Sequence, residues 1–153
     1  MNENAESLKS KSFSRRALDK PMEAWQILIE QGNRAQASKA MRQAEQIYKQ
    51  AIAECQIQST NKLDSLALCL LNLGHLYESQ LRLEAAEGVF KSVLSIFEDI
   101  HGPRSLAVAL ILDRISAVCR EQGKHIKARA LSLRAASIYS AIVNHQSVMT
   151  KAS

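Results

Sequence analysis

Internal repetition is the strongest constraint on this chain. Leu66, Leu70, Leu73, Leu76 and Tyr77 are spaced by four, three, three and one residues, which places them on one face of a helix. Shifted by 42 residues, that face returns as Val108, Leu112, Ile115, Val118 and Cys119. A second stripe follows the first: Ala86, Val89, Phe90, Val93 and Phe97. The same shift carries it forward to Ala128, Leu131, Ser132, Ala135 and Tyr139, and back to Ala44, Ile47, Tyr48, Ala51 and Cys55. A period in the 20–50 residue range marks a solenoid, whose units bury their apolar faces only by stacking on one another.

Punctuation divides the repeat into helices, expected at 21–36, 39–56, 63–80, 83–100, 104–121 and 125–143. Leu81-Arg82 and Gly123 separate the helices within a unit, and His101-Gly102-Pro103 separates the second unit from the third. Asp19-Lys20-Pro21 reads as the first helix start, with Asn61 and Asp64 as candidate N-caps of the third helix. The first helix fits least well. Its expected face is Ala24, Leu28, Gln31, Arg34 and Ala35, where Gln31 and Arg34 interrupt the stripe, as is common in a terminal repeat with one side in water. Residues 1–20, rich in Ser, Lys and Arg, read as a flexible basic tail, 21–144 as the repeat domain, and 145–153 as a second flexible tail.

Composition agrees with an all-α fold. Hydrophobic residues make up 46% of the 153 but aromatics only 5%, and five Gly and two Pro are too few for a turn-rich β protein. The polar N-terminus does not read as a signal peptide, and no apolar run is long enough to span a bilayer. Three widely spaced cysteines, Cys55, Cys69 and Cys119, suit neither a disulfide framework nor a zinc site, so the expected setting is the reducing cytoplasm. Charge is uneven: residues 21–103 hold seven Lys/Arg against ten Asp/Glu, and residues 104–153 hold eight against two. A basic last third suits an acidic protein partner.

The middle unit, Ala67-Leu68-Cys69-Leu70-Leu71-Asn72-Leu73-Gly74-His75-Leu76-Tyr77 followed by Ala85-Ala86-Glu87-Gly88-Val89-Phe90, resembles the tetratricopeptide repeat. The 42-residue spacing and the His101-Gly102-Pro103 linker are similar to the long form found in kinesin light chains. Leu28, Gly32, Ala44, Tyr48 and Ala51 repeat the pattern in the first unit, and Leu112, Ile115, Ser116, Gly123 and Ala128 in the third. The resemblance implies a right-handed α-solenoid of three helix–turn–helix units, six antiparallel helices in all. The first helix of each unit would line a concave groove for a peptide or helix of a partner protein. The groove residues it implies are Gln26, Ile29 and Asn33 in the first unit, Leu68, Leu71, Asn72 and His75 in the second, and Leu110 and Arg114 in the third. Members of the family that clamp a C-terminal carboxylate carry Asn, Asn and Arg at the positions of Asn33, Asn72 and Arg114. Ile29 and Leu110 stand where such a clamp has lysines, which removes most of its charge.

No catalytic, metal or cofactor site is expected. His75, His101, His125 and His145 lack metal-site spacing, no base accompanies a cysteine at helical spacing, and the glycines form no phosphate-cradling loop. The basic third unit lacks the aromatic interleaving that single-stranded nucleic acid would stack on. Two roles remain: an adaptor that holds a partner in the groove, and a structural subunit that forms a homodimer or a larger complex through its terminal helices. The last helix, with Leu131, Leu133, Ile138 and Ile142 on more than one face, would leave such an edge.

Overall fold

A computed structural model describes residues 22–58 and 62–151, with side chains to Asn144. The described residues form six helices: α1 (Ala24–Ala37), α2 (Met41–Gln58), α3 (Lys62–Ser79), α4 (Leu83–His101), α5 (Leu106–Glu121) and α6 (His125–Lys151). Contact is most extensive within the pairs α1–α2, α3–α4 and α5–α6, and next between α2 and α3 and between α4 and α5. The described chain is therefore an all-α solenoid of three stacked helix–turn–helix units.

The 42-residue register recurs in atomic detail. Gly32 and Gly74 are equivalent, and each lies under the ring of the residue 16 positions later, Tyr48 and Phe90. A Cβ on Gly32 would lie 2.7 Å from Tyr48 Cδ1, and one on Gly74 2.8 Å from Phe90 Cδ1. Both rings are fully buried. The third unit uses a serine pair in their place. Ser116 Oγ donates to the Ala128 carbonyl at 2.7 Å and lies 2.7 Å from Ser132 Oγ. A close ring-on-backbone contact is thus replaced by hydrogen bonds where the chain carries no aromatic residue.

The turn inside each unit is also conserved between units. Lys39 (φ 62°), Leu81 (φ 57°) and Gly123 (φ 74°) are equivalent and left-handed. In each turn the next amide donates back across the helix end, Ala40 to Ala35 O and Arg82 to Tyr77 O at 2.9 Å, and Lys124 to Cys119 O at 2.8 Å. Glycine occupies this position only in the third unit. A side chain in the left-handed region costs about 1–2 kcal/mol, part of which glycine's greater unfolded-state freedom offsets. Leu81 is 76% exposed and loses little packing on truncation. Leu81→Gly is therefore expected to raise stability by about 0.5–1 kcal/mol in urea unfolding.

Burial explains the weak first stripe. Gln31 and Arg34 are exposed, whereas their equivalents Leu73 and Leu76, and Ile115 and Val118, are buried. Those positions face the preceding unit, and no unit precedes α1 among the described residues. The expected face is corrected accordingly: Ala24, Gln31 and Arg34 lie outward, and α1 buries Gly32 and Ala35 with Trp25, Leu28 and Ile29 partly covered.

Several boundaries differ from expectation. α1 begins at Ala24, later than expected, because Glu23 caps it, its N–H donating to Gln26 Oε1 at 2.8 Å. Asp64 is not a cap. It lies in the first turn of α3, where a carboxylate favours the helix dipole. Ser105 caps α5, its Oγ accepting from the Val108 amide at 3.3 Å. The tail expected from residue 145 is helical to Lys151, since neither Gly nor Pro follows Lys124 to stop it. The 1–20 tail, Asp19-Lys20-Pro21 and Asn61 lie outside the described residues. No helix is long and apolar enough to cross a membrane among the described residues.

Candidate functional site

The first helices of the second and third units, α3 and α5, converge over α4. Leu71 and His75 from α3, Phe97 from α4, and Ala107, Leu110, Ile111 and Arg114 from α5 line a cavity of about 420 Å³. Four of the nine expected groove residues, Leu71, His75, Leu110 and Arg114, meet here. Heptad-like spacing explains the rest of the wall: Ala107 and Ile111 lie one helical turn from Leu110 and Arg114. Sequence reasoning missed Phe97, Ala107 and Ile111. Phe97 belongs to the core stripe of α4, yet it is only partly buried because it closes the floor of this cavity.

The rim is polar. Glu78 bridges two groove residues, its Oε2 lying 3.4 Å from His75 Nδ1 and its Oε1 3.6 Å from Arg114 Nη1. The His75 ring meets Phe90 edge-on, with centroids 5.4 Å apart. The ring of Phe90 that packs on Gly74 therefore also fixes the imidazole at the rim. An apolar floor of Leu71, Phe97 and Ile111 under a rim of His75, Glu78 and Arg114 suits an apolar side chain carried on a hydrogen-bonding backbone.

The remaining expected residues do other work. Gln26 caps α1, and Ile29 packs into the core. Asn33 Oδ1 accepts from the Tyr48 hydroxyl at 2.6 Å, a bond shared with Gln36 Oε1 at 3.0 Å. Asn72 Nδ2 donates to the Leu68 carbonyl of its own helix at 2.8 Å. Leu68 is 49% exposed and, like Asn33 and Asn72, is not part of the cavity wall. Asn33 and Asn72 thus each make a hydrogen bond within the chain, and the tyrosine hydroxyl, invisible in the spacing, is what engages Asn33.

Half of the basic residues of the third unit pair with acids of the middle one. Lys124 Nζ lies 2.9 Å from Glu87 Oε2, and Lys127 donates to Glu87 Oε1. Arg134 pairs with Glu98, and Arg114 with Glu78. The first interface uses the same position: Glu45, 42 residues before Glu87, accepts from Tyr77 Oη at 2.9 Å and from Arg82 Nη1 at 2.6 Å. The Arg82 guanidinium also stacks over the Tyr77 ring at 4.2 Å. Lys49 and Lys91 complete the two clusters from within the same helix, each at 2.8 Å. The hydrogen bonds from Lys49 and Arg82 hold the Glu45 carboxyl down to about 2, and those from Lys127 and Lys91 hold that of Glu87 well below the usual carboxylate range. Part of the base excess of the end therefore answers acids of the middle unit across their shared interface. No group of His, Cys, Asp and Glu suited to a metal ion occurs among the described residues.

The comparisons agree with this architecture. The crystal structure of BtubC (BKLC) from P. vanneervenii is similar, with a TM-score of 0.69 at 20% identity. The match covers 91% of this chain and 58% of that one, so the chain spans well under two thirds of its solved relative. No curated protein sequence matches the chain. The tetratricopeptide repeat family matches residues 65–141, half of the sequence, covering the two units with intact stripes and omitting the one whose outer face is polar. By that match, and by the three stacked helix pairs, the chain belongs to the tetratricopeptide repeat family.

Proposed function

We propose that the chain is a non-enzymatic adaptor that holds a peptide or helix of a partner protein in its concave groove. The observation that carries this reading is the cavity between α3 and α5, about 420 Å³, with an apolar floor and a rim of His75, Glu78 and Arg114. A large apolar side chain of the partner fills the cavity, and the rim bonds the adjoining backbone. Membership of a family of protein-interaction repeats supports the reading. It calls for no cofactor. Three free, buried cysteines fit a cytoplasmic setting.

Selection of a displayed random peptide library against the full chain tests it. Enriched peptides are expected to share one large apolar residue. Leu110→Asp is expected to abolish their binding with little change in melting temperature, because Leu110 is 58% exposed. Asn72→Ala, outside the cavity, is expected to leave binding intact. Peptides that bind Leu110→Asp as well as the wild type would remove the groove from the mechanism.

A second reading draws on the last helix, where Ile126 and Leu133 are 91% and 62% exposed. It makes the chain a structural subunit that pairs with a copy of itself or joins a larger complex. Light scattering separates the two, since a strict monomer at high concentration excludes self-association.

A further inference from the structure

The two described interfaces share a code that α6, the second helix of the third unit, reverses. Glu45 on α2 and Glu87 on α4 each bind cations of the next unit. The equivalent residue on α6 is Arg129, which is exposed. The outward charges of α4 also vanish at this end. Glu84, Lys91, Glu98 and Asp99 become Ile126, Leu133, Ser140 and Ala141. Ile126, Arg129, Leu133, Ala136 and Ser140 alternate by three and four residues along one exposed face of α6, opposite the buried Ala128, Ala135 and Ile138. That spacing is the seam of a two-helix coiled coil, with one cation set in an otherwise uncharged line.

From this pattern we infer that the outer seam of α6 is a second docking surface, and that its occupant is an amphipathic helix of another protein carrying a carboxylate opposite Arg129. Charge selects the occupant. In a head-to-tail stack a second copy would offer Ala40 and Gln43 where Lys124 and Lys127 meet Glu87, so it brings no acid to Arg129. In a tail-to-tail pair the facing α6 carries no Asp or Glu to meet Arg129. The chain's own residues 1–20, with five Lys/Arg against three Asp/Glu, have the wrong net sign. An acidic helix supplies both the apolar seam that Ile126 and Leu133 lack and the missing counter-charge. This surface is separate from the α3–α5 cavity and does not depend on it.

The probe is a labelled synthetic helix with a Leu seam and one Glu placed opposite Arg129, compared with the same peptide bearing Lys, each titrated by anisotropy against the full chain. The Glu peptide is expected to bind about ten-fold tighter or more, because like-charge juxtaposition is costly. Arg129→Glu, a change at an exposed position, is expected to reverse the preference, and Leu133→Asp to abolish binding of both peptides. Leu110→Asp, which empties the groove, is expected to leave the titration unchanged. The inference is overturned if neither peptide binds, if the preference survives Arg129→Glu, or if Leu110→Asp rather than Leu133→Asp removes binding. A concentration-dependent dimer dispersed by Leu133→Asp would also overturn it, by making the occupant a second copy.

Discussion

Gly74→Ala is expected to destabilise the chain by about 3 kcal/mol, at the upper end of the usual cost of overpacking a core. The added methyl would lie 2.8 Å from Phe90 Cδ1, where carbon atoms prefer about 3.5–4.0 Å. The ring cannot swing aside, because it is fully buried and meets His75 on its edge. Relief therefore requires α3 and α4 to separate. Melting temperature is expected to fall by about 10 °C for a domain of this size. Two controls identify the cause. Gly88→Ala has nothing within 4 Å of the new methyl and sits on the exposed side of α4, so it is expected to stabilise by up to about 1 kcal/mol. Phe90→Ala alone is expected to cost about 3–5 kcal/mol, and adding Gly74→Ala to it should cost nothing further, since the clash has gone. If Gly74→Ala unfolds at or above the wild-type temperature, or if the two substitutions add, the ring does not rest on this backbone. Loss of His75's edge contact also gives Phe90→Ala a functional readout, a looser groove rim, that Gly88→Ala lacks.

The same contacts show how far the sequence could be read. Ring and glycine recur 42 residues apart because a large ring can lie on the facing helix backbone only where that side has no Cβ, so spacing alone announced the fold. The stripes of α3, α4 and α5 were legible for the same reason, each being buried on both the pair and the stack side. Gln31 and Arg34 looked like errors in the pattern, yet they stand where Leu73 and Leu76 are buried against a preceding unit, and no described residue covers that position on α1. The groove was legible only in part. Leu71, His75, Leu110 and Arg114 follow from helix position, but the partners that engage Asn33 and Asn72 lie on another helix or on the backbone, beyond what a spacing can show. The basic last third invited an external acidic partner. Three of its cations, Lys124, Lys127 and Arg134, instead reach back 36–40 residues to Glu87 and Glu98, a pairing between units that composition by segment reads as an imbalance.

Those pairings predict an acid-labile stack. In the folded chain Glu45 takes up a proton only at about 2, against 4.5 ordinarily, because Lys49 and Arg82 bond its carboxylate and Tyr77 adds a third donor. Glu87 is held lower still relative to the ordinary value by Lys127, Lys91 and Lys124. A carboxyl with a depressed folded value favours the folded state fully above its unfolded value, near 4.5. That contribution disappears as pH falls through the folded value, since protonation then costs the native state its ion pairs. The window of loss therefore runs from about pH 5 to pH 2 and below. The Lys and Arg partners are 42–58% exposed, so solvent screening limits each cluster to about 1–2 kcal/mol. Glu45→Gln/Glu87→Gln is expected to lower the melting temperature at pH 7 and to flatten its dependence on pH, so that variant and wild type draw together as pH falls from about 5 and converge only below about pH 2. Parallel curves would show that the two acids do not carry the acid sensitivity. Because Glu45 and Glu87 bridge successive units, their protonation weakens the interfaces while the buried contacts within each pair, such as Phe90 on Gly74, remain. A solenoid holds together through the nearest-neighbour terms between its units. Unfolding is thus expected to broaden as pH falls, with units melting separately, and in the double variant that breadth should already be present at neutral pH.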